Sequence, residues 1–160
     1  MSSINTDHLR HLFEYHFKLN RKFWHFCIEN LKWKQMIEAT DISVGSIRNL
    51  FVHIMSVDER WLSGLRRAPL LDHANPESYG KPEELRLRWD LVEADMRAFL
   101  DGLTDSDLEK KFQDNMKVWH VLSHVVNHGT AHRAQIGTIL RHFGLTPPHQ
   151  DYIFFVMGRI

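Results

Sequence analysis

Apolar residues recur along this chain every third or fourth position, and no stretch shows the two-residue alternation of a half-buried strand. Leu9, Leu12, Phe13, Leu19, Phe23 and Cys27 share one such face and predict a first helix over roughly residues 6 to 30. Ile47, Leu50, Ile54, Val57 and Trp61 share a second, predicted to run from a cap at Ser43 to about Gly64. Pro76 and Gly80 then punctuate a polar loop, HANPESYGKPEE. A third helix is predicted from Pro82 to about Leu103, carrying Leu85, Trp89, Leu91, Val92, Met96 and Leu100. The fourth is predicted from about Val118 to Phe143, stopped by a C-cap at Gly144 with Pro147 and Pro148 just beyond. A short apolar tail, DYIFFVMGRI, is expected to pack back as a helical turn or strand. Four amphipathic helices of about twenty residues imply an all-α four-helix bundle, here as a single domain over residues 1–160.

Composition narrows the function classes. With 43% hydrophobic and 25% charged residues over 160 positions, the chain has the makeup of one globular domain. Its 20 Lys and Arg balance its 20 Asp and Glu without a basic stripe, so a nucleic-acid partner is not expected. The first residues, MSSINTDHLRHLFEYHF, mix charges into the apolar positions, and no apolar run approaches the ~20 residues of a membrane span. A soluble, cytoplasmic protein with no membrane partner is the expectation. Cys27 is the one cysteine, which excludes an internal disulfide, and its setting in FWHFCI makes it a core residue.

Candidate chemistry lies in the fourth helix, where WHVLSHVVNHGTAH places His120, His124, His128 and His132 four residues apart. At about 100° per residue, His132 falls roughly 40° and His128 roughly 80° from the centre of the apolar stripe through Val118, Leu122, Val125, Gly129 and Ile136. His124 and His120 fall at about 120° and 160°. Successive rungs rise about 6 Å, so two neighbouring imidazoles can converge on one ion with bonds of about 2.1 Å, whereas three span about 12 Å and cannot. The inward pair is His128 and His132; His124 is at most a rim residue and His120 is expected to face solvent. A third donor is available on the second helix, where His53 sits between Leu50 and Val57 on the side that carries Trp61. Spacing alone leaves two readings: a three-histidine metal site with open positions, or a hydrogen-bonded core His53 beside a partly exposed pair. A zincin peptidase is not expected, because Gly129 stands where H-E-x-x-H has its glutamate base. The Glu-x-x-His pattern of di-iron bundles is also absent from this helix.

The stretch HVVNHGTAHRAQIGTILRHFGLTPPHQDYIFF, residues 124–155, closely resembles the closing segment of the DinB-like (damage-inducible, YfiT-related) metal-binding four-helix bundles. YHFKLNRK, residues 15–22, and HIMSVDERWL, residues 53–62, resemble that family's first-helix and second-helix elements in the right order. The resemblance implies a divalent metal, nickel or zinc, held by His53, His128 and His132, and a homodimer. It departs mildly at Ala131, where many members have a further His, and at Ala134, where they have Gly. The family name records induction by DNA damage rather than DNA binding.

Metal-bound imidazoles usually give their second N–H to a carbonyl, amide or carboxylate, which makes Asn49, Asn127 and Gln135 candidate supports; ordinary surface amides are the alternative. Arg133, about 60° from the stripe centre, is read as half-buried, either holding an anionic substrate or pairing with Asp58 or Glu59. His16 and Trp61 fall on inward faces as candidate lining for a cavity beside the ion, with core packing as the alternative for Trp61. Proteins similar to this one include transferases and isomerases that use a low-molecular-weight thiol such as bacillithiol, mycothiol or glutathione. That makes a metal-dependent thiol transferase the first expectation, ahead of a metal-dependent hydrolase and of a non-catalytic, stress-related metal-binding protein.

Overall fold

The computed structural model describes residues 4–160. Four long helices carry the fold: α1 (Thr6–Asn30), α3 (Ile47–Leu65), α4 (Pro82–Asp101) and α6 (Val118–His142). Short pieces join them, namely α2 (Trp33–Met36), α5 (Asp105–Leu108), a hairpin of β1 (Lys111–Gln113) and β2 (Met116–Lys117), and the closing α7 (Tyr152–Val156). Both α1 and α3 pack against α4 and α6, which closes the ring of an all-α bundle.

Local chemistry sets the helix ends. Asn5 caps α1 by accepting the His8 N–H at 2.8 Å. The cap of α3 is Ser46, whose hydroxyl accepts the Asn49 N–H at 3.1 Å. Ser43, the expected cap, lies in the preceding loop at φ +51°, followed by Gly45 at φ +99°; the left-handed backbone of this loop delays the helix by three residues. At the far end of α6 the chain turns at Gly144, φ +74°, and the Leu145 N–H returns to the Leu140 carbonyl at 3.0 Å.

The hairpin corrects the expectation of a strand-free chain. Its strands are two and three residues long, too short for alternation to register, and they turn at Asp114, whose φ of +42° suits a short polar side chain. Arg67 fastens it to the end of α3 by donating to the Lys111 and Phe112 carbonyls at 2.5 and 3.0 Å.

The core joins α1, α3 and α4 through Trp24, Phe51 and Trp89, with ring centroids 5.3 to 6.3 Å apart, and continues to α6 through Leu122, Val125 and Ile136. Burying each such large side chain contributes roughly 1.5–3 kcal/mol. Cys27 is fully buried, and desolvation pushes its thiol up to about 12, which makes it inert packing. Among the described residues no helix is long and apolar enough to cross a membrane.

Candidate metal centre

Because α3 and α6 run against each other, His53 at mid-α3 faces two successive inward turns of α6. The structure brings together His53, His128 and His132: one ring nitrogen from each lies within 4.8 Å of the others, and the ring centroids are 4.3 to 4.9 Å apart. His53 Nε2 and His128 Nε2 stand 3.1 Å apart. Two imidazoles bound to one cation at about 2.1 Å, with an angle of about 95–110° between them, would hold their nitrogens about 3.1–3.4 Å apart.

Each ring is prepared differently. His132 presents Nδ1 to Gln135 Oε1 at 2.7 Å, and donation of that N–H leaves the Nε2 lone pair free. His128 buries its Nδ1 without a hydrogen-bond partner among the described residues. Desolvation, then repulsion from His132, His53, His124 and His16, pushes the His128 imidazole down to about 3. Desolvation, then His132 and His73, pushes His53 down to about 4. Both rings are therefore neutral lone-pair donors at neutral pH, and no carboxylate belongs to the group. Three convergent imidazoles are compatible with a divalent metal, and the 3.1 Å approach of His53 Nε2 to His128 Nε2 also fits an N–H···N hydrogen bond between the two rings.

The other candidate residues divide. Gln135 touches the cluster, as just described. Asn49 turns away to the Val44 carbonyl at 2.8 Å and accepts from Arg48 Nε at 3.1 Å, so it closes the loop before α3. Asn127 is exposed. Trp61 is half-buried against Phe112 and His124. His16, expected as cavity lining, is wholly buried, with Nε2 2.8 Å from Asp58 Oδ2. Arg133 is also wholly buried rather than half-buried, and it reaches neither expected carboxylate directly. Its Nη1 donates to Asn20 Oδ1 at 2.6 Å and faces His16 Nδ1 at 3.4 Å, Nη2 donates to Thr130 Oγ1 at 3.1 Å, and Nε donates to Gln150 Oε1 at 3.1 Å. Its connection to Asp58 runs through the His16 ring, while Glu59 pairs with Arg88. Burial lowers the guanidinium to about 10, so it stays charged at neutral pH.

Gly129 gains a positive reason here. A Cβ at that position would sit 2.4 Å from His16 Cε1 and 3.0 Å from Arg133 Nη1, so the missing side chain is the space His16 occupies. Of the outer rungs, His124 is exposed, 5.7 Å from the His128 ring. His120 is half-buried rather than solvent-facing, because its Nδ1 turns back to accept the Lys117 N–H at 3.1 Å in the first turn of α6.

Sequence reasoning missed His73. Its ring lies 5.7 Å from that of His53, on a loop pinned at both sides by α3: Arg60 donates to the Leu71 carbonyl, and Ser56 Oγ accepts the Ala74 N–H at 2.7 Å. Nothing periodic marks a loop residue, so only the fold could place it.

An all-α bundle whose inner face gathers three imidazoles has the makings of a metal-binding protein. The chain matches the DinB family over residues 1–158, and it belongs to that family. No curated protein matches it significantly.

Proposed function

We propose that His53, His128 and His132 hold a divalent cation, nickel or zinc, and that the protein is a metal-dependent enzyme of the thiol-dependent transferase type. The observation that carries the reading is the 3.1 Å approach of two imidazole nitrogens, with a third ring beside them, in a group without a carboxylate. The chemistry such a cation supplies is a lowered thiol pKa, which yields a nucleophile at neutral pH without a protein base.

The chain's own residues do the rest. Gln135 fixes the tautomer and rotation of His132. Burial keeps water from the Nδ1 side of His128. Three neutral donors leave the cation's charge undiminished, which favours an anionic sulfur ligand. Hydrolysis is the second reading in rank, since at Gly129 there is no side chain to guide water. A homodimer belongs to the same proposal, and Leu87 and Leu91, exposed one turn apart on α4, offer it an apolar face; light scattering giving a monomer mass at micromolar concentration would count against it.

The deciding experiment incubates nickel- or zinc-loaded protein with an electrophile and several low-molecular-weight thiols, beside a panel of esters and lactones. Thiol consumption that depends on the metal and is lost in His128→Ala is the expected result. Metal-dependent ester turnover without thiol consumption would reverse the ranking. Silence in both panels, with His53→Ala altering only thermal stability, would leave a structural metal site.

A further inference from the structure

A pocket of about 300 Å³ opens beside the three-imidazole cluster, lined by Trp61, Met116, His120, Val121 and His124. His124 is the wall the two share. Its ring lies 5.7 Å from that of His128 on one side and meets Trp61 edge-on at 5.6 Å on the other. The pocket therefore begins one imidazole away from the cluster.

Three features define what would fit. The lining carries no Asp, Glu, Lys or Arg, so an uncharged group is favoured. Trp61, in tilted ring contact with Phe112 at 5.9 Å, together with the Met116 thioether, suits a flat aromatic ring. The volume is at the low end for small-molecule sites, enough for one ring-sized group. The polar contribution is specific too. Since His120 Nδ1 accepts the Lys117 N–H, the ring's proton lies on Nε2, which has a donor to offer. The hairpin gains a purpose from this: β2 delivers Met116 to the pocket, and Arg67 ties the hairpin to α3, the helix that bears Trp61.

We propose that this pocket is a substrate subsite, taking the uncharged aromatic body of a small molecule whose head reaches the three imidazoles, with His120 Nε2–H meeting an acceptor on that ring. The proposal rests on the metal reading above and goes further by naming the substrate's shape and polarity.

Calorimetry on zinc-loaded protein separates the two. Acetohydroxamate, a metal-seeking head alone, reports the cation; phenylacetohydroxamate adds the ring. The aromatic probe should bind about tenfold tighter, a preference kept by Trp61→Phe and reduced to within about twofold by Trp61→Ala and by Met116→Lys, with acetohydroxamate affinity unchanged in all three. A para-acetyl group on the ring should tighten binding further in the parent protein and not in His120→Phe; no gain in the parent would remove His120 from the subsite. Zinc uptake with equal affinity for both probes, or an aromatic preference that survives both Trp61→Ala and Met116→Lys, overturns the subsite alone. A protein that takes up no zinc overturns the metal reading and the subsite with it.

Discussion

His132 and Arg133 are neighbours in sequence, yet they enter opposite kinds of polar cluster. His132 joins two other imidazoles whose ring nitrogens converge, in a group that contains no charged partner. Arg133 joins a closed network in which Asn20, Thr130 and Gln150 each accept from the guanidinium and His16 relays to Asp58. The second cluster contains its own cation. The first is built as though the cation comes from outside. Burial depth does not separate them, since the closed network is the more deeply buried of the two. What separates them is charge: one holds a guanidinium and the Asp58 carboxylate, whose Oδ1 has no hydrogen-bond partner among the described residues, while the imidazole trio holds neither kind of group.

The largest effect is expected in the closed network. Arg133→Met removes the cation facing Asp58 through His16 and leaves several buried polar atoms unsatisfied, a loss of about 3–5 kcal/mol in urea unfolding. A loss below about 1 kcal/mol would mean that the network is not a stabilising unit. In the open cluster the partner is added rather than removed. Nickel or zinc at about a hundredfold excess over its Kd should raise stability by about 2.7 kcal/mol, and His132→Ala should abolish the gain. An equal gain in that variant would place the metal elsewhere.

Gly129→Ala tests the seam between the clusters. Its Cβ would fall 2.4 Å from His16, so about 1–3 kcal/mol should be lost through overpacking. Metal affinity should change less than in Gln135→Ala, which removes the amide that orients His132 and should weaken binding about 10-fold or more. Equilibrium dialysis of both variants distinguishes a packing role from an orienting one.

Acid should discriminate as well. In metal-free protein His53 and His128 are lowered to about 4 and about 3, against an ordinary value of about 6.5. Between those limits the unfolded chain binds more protons than the folded one, so stability rises with pH and falls on acidification from about 6.5. Thermal melts from pH 7.5 to 5 should show the fall, and a His53→Gln/His128→Gln variant should flatten it. An unchanged slope in that variant would assign the acid sensitivity to other groups.

How much of this was legible beforehand follows from the range of each interaction. The long helices were readable because 3.6-residue periodicity is local, and α1 and α6 end within a residue of the sequence reading. The start of α3 was not, because Ser43 and Ser46 are equally good caps until a left-handed loop chooses between them. Helix geometry ranked His132 and His128 inward. It placed Arg133 at about 60° from the stripe, yet could not reveal that Asn20, Thr130 and Gln150 would bury it completely, since two of those partners come from other parts of the chain. Tyr15 and Asn20, quoted within a family-like element, prove to be network members: the Tyr15 hydroxyl donates to the Gln150 carbonyl at 2.6 Å. His73 is placed by tertiary contacts, and the hairpin's strands are too short for alternation to show.

The smallest expected effect concerns the two outer rungs of the ladder and is the strictest test of its geometry. His124 lies 5.7 Å from His128, farther than any pair within the trio, and His120 is a turn farther along α6 with its Nδ1 committed to the Lys117 N–H. A cation shared by His124 and His128 would sit about 6 Å along the axis from one shared by His128 and His132, away from His53, which meets both of the latter rings at under 5 Å. The His120→Ala/His124→Ala double variant should therefore keep its full metal content and lose no more than about 1 kcal/mol, from the missing helix-end hydrogen bond. It should nevertheless lose the aromatic-hydroxamate preference, because both residues line the pocket. A double variant that drops its metal would shift the site one rung toward the start of α6. One that keeps both the metal and the preference would confine the open cluster to its three imidazoles and leave the aromatic preference to Trp61 and Met116.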